Sequence, residues 1–491
     1  MRIYYDDRAC GAGKSYDERA AIVAKEGLYI WAVGERQMMN EAYSKLRAQA
    51  ADAGKIVTLR AIYSAGGDFD FDPDLGEPAA NVRVEVEGLA NTYTRGHVIV
   101  IMTHEALKAA DLTNFEGLGW SLVIDEVISV WDQMEMETTT LLGWLKDHYA
   151  LTKTEDDGLY QITSTTDETT RDLARDSGAK AYATFHQRVT GDRSKVITDL
   201  ENWDDLVENR KWTWWSLFDP SCLAVFDRTT MLANDLTHSV TYETMRARYP
   251  QTEWVNLNRP TTQTYAQRKV VVHYYAVAHE ARRSIFKTTQ GKAFLKAVAA
   301  DIDKRVGVQP HIWMCNDKDR QFLKAIAGTK LSPKQSGIDR FGDDYHHASM
   351  IYVAKPKPTE QTVMEALGVS REAIIATREH EVLVQFATRT SLRRSHSTET
   401  VHLTVYDEVQ ARKLEAYLIR TSYCDVELRL HRLNVGGVEL ADWVKVEEKR
   451  GPKKKVLTDE ERAANAQATR ERKRRNKADS RAKKKEIEKI D

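Results

Sequence analysis

The chain has 491 residues, 42% hydrophobic and 30% charged; it is too long for one ordinary core and describes a soluble protein of two or three domains. Its four cysteines, Cys10, Cys222, Cys315 and Cys424, form no CxxC pair, which argues against a disulfide framework or a cysteine zinc site and fits a reducing compartment. Formal net charge is −1, yet 17 Lys/Arg stand against 8 Asp/Glu from Lys449 to Asp491, which leaves the preceding body about ten units negative. No apolar run nears the roughly 18–20 residues of a membrane helix, and Asp6, Asp7 and Arg8 interrupt any secretory pattern. A cytoplasmic protein, or one working in a host cytoplasm, is expected.

In chain order, Arg2–Tyr5 predicts a short strand running into a glycine loop, and Ser15–Ala24 a helix. Leu28–Val33 is an apolar run that predicts a buried strand, and Asn40–Ala53 an Ala-rich helix. Strands follow at Ile56–Ala61, His97–Met102 and Ser121–Ile124. Short apolar runs separated by helices are the pattern of a parallel sheet covered on both faces. Gly66–Pro78 reads as an acidic surface loop. Residues 132–220 read as a helical insertion, with helices at Thr139–Tyr149 and Thr169–Arg175 and a tryptophan-rich stretch at 208–218. The last strand of the first domain is expected at Thr229–Ala233, and Pro250–Pro260 as the crossing to a second domain. There, strands are expected at Val270–Tyr275, His311–Cys315, Met350–Val353 and Val401–Val405, with helices at Gly291–Ile302 and Asp407–Leu418. The tail, 449–491, has few apolar residues and cannot bury a core; it is expected to be disordered or a solvated helix.

The strongest local signal is Gly11-Ala12-Gly13-Lys14-Ser15. Its glycines let backbone N–H groups wrap a phosphate, and the following helix presents its positive end. Lys14 would reach the β- and γ-phosphates, and the Ser15 hydroxyl would ligate Mg²⁺. Arg8 stands where the general pattern has its first glycine. The second signal is Leu122-Val123-Ile124-Asp125-Glu126-Val127, an apolar strand ending in adjacent carboxylates. Asp125 would hold Mg²⁺ through water, and Glu126 would orient and deprotonate an attacking water. Either motif alone has a bland reading, a glycine turn or an acidic strand end; together they point to an ATP-hydrolysing site.

With these two motifs the sequence resembles the superfamily 2 (DEAD/DEAH-like) helicases and translocases, and further blocks arrive in that family's order. Tyr29–Gln37, with Glu35 and Arg36, is similar to the block that touches the nucleic-acid backbone. Thr103 and His104, in Val98–Leu107, match its T-H-x-x-L block. Thr229–Asn234 stands at the place of the coupling motif but keeps only Ala233. Ser336–Asp339 resembles the G-I-D stretch, which puts Asp339 at the nucleotide. Gln385–Arg389 followed by Arg393 resembles the arginine-finger block, with Thr388 in place of glycine. A T-R context for Arg389 is also reminiscent of superfamily 1, but no G-D-x-x-Q block follows Asp125.

The resemblance implies two tandem RecA-like α/β domains with parallel sheets, 1–255 and 256–448, facing each other across an ATP·Mg²⁺ cleft. It implies Lys14, Glu126, Arg389 and Arg393 as catalytic, Gly11 to Ser15, Gln385 and Asp339 as nucleotide-binding, Ser15 and Asp125 as metal ligands, and Arg36, Thr103 and His104 as nucleic-acid contacts. The expected activity is an ATP-dependent helicase or translocase, on DNA rather than RNA, with the compact look of a phage replication or recombination enzyme.

Other groups carry readings of their own. His346-His347, with Asp343 and Asp344, reads as a polar loop rather than a metal site. Trp212, Trp214 and Trp215 read as a small core rather than a platform for unpaired bases. The clusters Lys453–Lys455, Arg472–Arg475 and Lys483–Lys485 would bind phosphates non-specifically, or replication-protein partners. Two alternatives stay open. One is a genome-packaging motor with a nuclease, for which Asp301, Asp303 and Asp339 are the candidate carboxylates; the other is a nucleotide-switched DNA-binding or origin-recognition protein.

Overall fold

The structure, a computed structural model, describes residues 1–65, 73–137, 142–156, 158–175, 182–206, 211–261, 265–333, 341–422 and 424–445. Met1–Trp443 forms one compact unit. Ser336–Asp339, the first part of the 66–78 loop and the basic tail lie outside the described residues.

The first half is built on a seven-stranded sheet of β1 (Arg2–Asp6), β2 (Leu28–Val33), β3 (Thr58–Ala61), β4 (Val98–Thr103), β5 (Trp120–Asp125), β11 (Arg228–Leu232) and β12 (Glu253–Asn256), in the order β12-β1-β11-β5-β2-β4-β3. Every pairing in it is parallel. All six residues of β2 are buried. Ile30 and Ala32 join one core with Val100, Met102, Leu122 and Ile124. Trp31 and Val33 join the other with Ile99, Ile101 and Val123. Alternate side chains thus feed two cores, which is why the strand reads as an unbroken apolar run. β12 was hidden in the expected domain crossing; it pairs with β1 and closes that edge of the first sheet.

Between β5 and β11 the chain does not form a helical insertion. It forms a five-stranded antiparallel sheet, β6 (Trp131–Glu137), β7 (Tyr149–Lys153), β8 (Tyr160–Ser164), β9 (Ser194–Thr198) and β10 (Lys211–Phe218), in the order β6-β10-β9-β8-β7. Short helices at Leu142–His148 and Thr170–Arg175 do stand where the sequence placed helices. The physical reason is the period of two in β10: Trp212 and Trp214 enter a cluster with Phe185 and Tyr149. Trp215 and Leu217 point to the opposite face. Bulky aromatics at alternate positions fit a pleated surface better than a helix. All three tryptophans are buried, at 5%, 1% and 1% exposure, as a core requires and a base-stacking platform does not.

The second half is a six-stranded parallel sheet, β13 (Arg268–Tyr274), β14 (His311–Cys315), β15 (Thr329–Lys330), β16 (His347–Ile351), β17 (Val401–Val405) and β18 (Cys424–Leu430), in the order β15-β14-β16-β17-β13-β18. The helix Thr289–Val306 packs through Phe294, Leu295, Val298 and Ile302 on one face. Leu383, Phe386, Leu414 and Leu418 cover the other. The expected α/β class with two parallel sheets is therefore the observed one.

Candidate nucleotide site

β1 ends at Asp6, and the next seven residues curl into the helix Lys14–Ala24, here α1. Gly11 and Gly13 have φ of +81° and +85°, the left-handed region that glycine enters without penalty. Gly13 is the helix N-cap and offers no side-chain cap, so the first N–H groups of an eleven-residue helix stay directed at the loop's mouth. Lys14 Nζ donates to the carbonyls of Arg8 (2.6 Å) and Ala9 (2.9 Å), inside the curl it would share with a phosphate.

Arg8, the residue that broke the glycine pattern, has a structural place. Its guanidinium holds Asp6 and Asp17, each at 2.7 Å, and its Nη1 donates to the Pro260 carbonyl. The side chain is only 8% exposed and that of Asp6 1%. It is a strut that ties the loop to α1 and to the chain leaving β12.

β5 brings the two carboxylates to the same place. Ser15 Oγ donates to Asp125 Oδ1 at 2.8 Å. Burial pushes the Asp125 carboxyl up, while the Ser15 bond, Arg19 and Lys14 pull it down. A hydroxyl and a carboxylate oxygen side by side beside a phosphate loop are the hard donors that Mg²⁺ takes, so the residues present fit that ion. Glu126 then turns sharply, with φ of +73°, and its N–H is held by the Leu232 carbonyl at 2.9 Å. A left-handed non-glycine residue stores roughly 1–3 kcal/mol of strain, which surrounding structure must hold in place. Burial pushes the Glu126 carboxyl up to about 8, helped by Asp125, Glu381 and Glu35 and opposed by Arg389.

His104 lines the cleft. It is 6% exposed and lies behind Glu126, its ring near Gly34, whose added Cβ would meet Glu126 Oε2 at 3.3 Å and His104 at 3.9 Å. Burial holds the imidazole down at about 4, with Lys108 acting in the same direction. Thr103 caps the helix His104–Ala109 by accepting from Ala106 N–H. Arg36 is half-buried and donates to Ser64 Oγ at 2.6 Å. These three expected contacts therefore do not line one surface.

The second half faces this loop across a cleft of about 1410 Å³ lined by both halves, including Lys14, Ser15, Asp125, Glu126, Gln385, Arg389 and Arg393. The helix Glu381–Ala387 ends just before Arg389. Arg389 is 4% exposed, and its Nη1 is buried without a hydrogen-bond partner. Burial lowers this guanidinium to about 10, while Glu126 and Glu35 across the cleft hold it up. A buried guanidinium with an unbonded nitrogen, coupled electrostatically to the carboxylate that would activate water, is suited to hold an anion. Arg393 lies directly over the loop: its Cγ would stand 3.7 Å from a Cβ on Gly11.

Sequence reasoning missed the contacts that join the halves. Cys10 N–H donates to the Tyr417 hydroxyl (2.9 Å), which donates to Asn234 Oδ1 (3.0 Å). Asn234 Nδ2 donates to Glu381 Oε2 (2.6 Å), and Gln385 Nε2 to Glu381 Oε1 (2.9 Å). Burial raises the Glu381 carboxyl, against the Asn234 and Gln385 bonds and Lys14. Glu381 could have been found as the residue one helical turn before Gln385, on the same face. Nothing local marks Tyr417. Beyond them, one face of the inserted sheet (Trp131, Ile197, Trp215) packs on Val363, Met364, Leu367 and Ile374 of the second half. A π turn at Ala376–His380 links that interface to the helix carrying Glu381 and Gln385; such turns gather at functional places.

The remaining candidates disperse. Asp301 pairs with Arg305 and accepts from the Tyr275 hydroxyl, and Asp303 accepts from Ala327 N–H. His346 bonds Ser391 Oγ, and His347 stacks on His402. Among the described residues no group of three or more His, Cys, Asp or Glu could hold a metal ion, and no helix is long and apolar enough to cross a membrane.

No family model matches this sequence, and no curated protein matches it. Among solved structures, the chain is similar to Xpd4 of S. tokodaii, with 10% identity over 87% of this chain and 95% of that one, at a TM-score of 0.47. It is similar to S. cerevisiae Dbp5 bound to RNA and ADP BeF3, with 8% identity over 87% and 85% and a TM-score of 0.36. It is also similar to a DEAD box protein from Methanococcus jannaschii, with 9% identity over 87% and 88% and a TM-score of 0.26. At such scores these likenesses carry no chemistry to this chain, and the functional reading rests on the residues of the cleft.

Proposed function

We propose that this chain hydrolyses ATP in the cleft between its two α/β halves and uses the cycle to move along nucleic acid as a helicase or translocase. The observation that carries the reading is the opposition of charges. Lys14, the Ser15–Asp125 pair and Glu126 stand on one wall, and buried Arg389, with Arg393 over Gly11, stands on the other.

In this reading the loop's N–H groups and Lys14 bind the β- and γ-phosphates, and Lys14 exchanges its two carbonyl partners for phosphate oxygens. Ser15 and Asp125 would hold Mg²⁺, which would supply charge neutralisation at the phosphate oxygens. Glu126 takes a proton from the attacking water once it is ionised. Arg389 supplies the cation that its buried, unpaired nitrogen is poised to give. Because the two walls belong to different halves, turnover depends on their closure, and phosphate release favours opening.

Action on nucleic acid, DNA ahead of RNA, and a phage replication or recombination role are the further reach of this proposal; so is binding through the basic tail. The dispersal of Asp301 and Asp303 disfavours a nuclease-bearing packaging motor. A nucleotide switch without turnover is disfavoured by the presence of Glu126 opposite Arg389. The test is ATP turnover by Lys14→Ala and Arg389→Ala beside wild type. Turnover retained in Lys14→Ala would remove the loop from the reaction, and turnover retained in Arg389→Ala would remove the second half from it.

A further inference from the structure

The stretch 358–375 belongs to the second half by sequence and to the first by packing. Val363, Met364, Leu367, Ala373 and Ile374, on or beside its helices Pro358–Ala366 and Arg371–Ile375, pack with Trp131, Ile197 and Trp215 of the inserted sheet. Among the described residues, none of this stretch enters either core of the second sheet. Its polar contacts follow the same allegiance. Ser370 donates to Glu243, on the first-half helix Val240–Arg248, from its N–H (2.7 Å) and from its hydroxyl (3.0 Å). Gly368, with φ of +81°, approaches that helix so closely that an added Cβ would stand 2.8 Å from Ala247 Cβ.

Both crossings between the two bodies are abrupt, and they stand side by side. On the way out, Lys355 pairs with Glu280 of the second half at 2.6 Å, whereas Lys357, two residues on, pairs with Glu135 of the inserted sheet. On the way back, the π turn Ala376–His380 makes the change over the same distance. Thr377 Oγ1 accepts from Val240 N–H of the first half at 2.9 Å. Arg378 pairs with Glu360 and donates to Gln133 of the inserted sheet. Glu379, with no exposed surface, turns to the second half instead: it accepts from Ala354 N–H (2.9 Å) and from Gln410 Nε2 (3.0 Å). Its bond to Ala354 ties one crossing to the other. The helix Glu381–Ala387 follows at once and sinks Leu383 and Phe386 into a second-half core.

A hinge is a short stretch that absorbs the backbone change between two packed bodies. A π turn holds one residue more than an α-helical turn. Gaining or losing that residue rotates the following helix by roughly 100° and shifts it by about 1.5 Å. Gln385 lies on that helix and Arg389 just past its end, so the turn sets the direction from which the guanidinium reaches the cleft. We propose that Thr377, Arg378 and Glu379 are positioning residues for Arg389, and that the π turn they form is the hinge through which the first half and its inserted sheet aim that guanidinium. The phosphate loop and Lys14 lie wholly in the first half, so the hinge governs the chemical step and leaves phosphate binding alone. This inference rests on the cleft being a hydrolytic site with one wall from each half.

The experiment uses the full chain with Mg²⁺ and measures ATP turnover and ADP binding for wild type, Thr377→Val and Arg378→Ala. ADP lacks the terminal phosphate, so it reports the first wall without the finger. Misplacing a reacting group by about 1 Å costs up to roughly a hundredfold, so kcat should fall about tenfold or more in each variant. ADP affinity and stoichiometry should stay within about twofold of wild type, which also shows that each variant is folded. A kcat within about twofold of wild type in either variant overturns the hinge. So does a fall in kcat that ADP affinity or stoichiometry shares, since the turn would then only hold the fold. Arg389→Ala separates this inference from the reading beneath it. If Arg389→Ala alone collapses turnover, the hinge is wrong and the cleft stands; if it turns over ATP like wild type, the finger fails and the hinge falls with it.

Discussion

The carboxyl of Glu126 gives a pH dependence that can be worked from the structure. Burial, Asp125, Glu381 and Glu35 together raise it to about 8 against the opposing charge of Arg389. A general base acts only when ionised, and kcat/KM reports ionisation in the nucleotide-free enzyme. A group with that pKa is about one-tenth ionised at pH 7 and nine-tenths at pH 9, so kcat/KM for ATP should rise about tenfold between them, with its midpoint near 8. With Mg²⁺ bound in excess, the terminal phosphate of ATP is already ionised over this range, so substrate titration contributes little. Arg389→Ala removes the cation that holds the carboxylate down, so any residual turnover should show a midpoint above that of wild type. The assay is steady-state phosphate release at subsaturating ATP in a constant-ionic-strength buffer series. A flat profile from pH 7 to 9, in an enzyme that Lys14→Ala still inactivates, would refute Glu126 as a base of raised pKa.

The same raised carboxyl costs stability. Its folded pKa lies above the unfolded value, so the penalty is absent below about 4.5 and grows as pH rises toward about 8. Glu126→Gln should therefore unfold at higher temperature than wild type at pH 8, by roughly 1–3 kcal/mol after relaxation of the site, with the gain shrinking toward pH 5. Arg8→Gly restores the glycine of the phosphate-loop pattern, yet it leaves Asp6 buried with only Arg259, 4.0 Å away, as a cation. It should lose about 2–3 kcal/mol in denaturant unfolding, and equal or greater stability would refute the strut. Trp215→Ala empties the seam between the inserted sheet and the second half. Calorimetry should register a loss of about 3–5 kcal/mol, and a near-neutral result would mean that the seam is not packed in solution.

What the sequence made legible was whatever lies contiguous in the chain. β2, β14 and β17 fall on the expected bounds, because a strand buried on both faces announces itself as an apolar run. The first wall of the site was legible for the same reason: Lys14 and Ser15 open one helix directly after the glycine loop, and Glu126 directly follows Asp125 at the end of one strand. The insertion was misread because Trp212, Trp214 and Trp215 are adjacent large apolar residues, and only their partition to opposite faces reveals a strand. Arg8 looked like a broken motif because its partner Asp17 and the Pro260 carbonyl are brought to it by folding alone. His104 could not be placed from its motif alone: its ring is 6% exposed and lines the cleft behind Glu126. The Tyr417–Asn234–Glu381 chain depends on three segments far apart in sequence, and no periodicity foretells it.

The central claim, a hydrolytic cleft shared by two halves and coupled to nucleic acid, is tested most directly by one titration. ATP turnover is measured for wild type and Arg389→Ala with single-stranded DNA, duplex DNA and RNA added in turn. The account expects at least one of these to accelerate wild-type turnover, single-stranded DNA foremost, and expects Arg389→Ala to stay near background with all of them. Turnover in wild type that no nucleic acid alters, or a fully active Arg389→Ala, would contradict it.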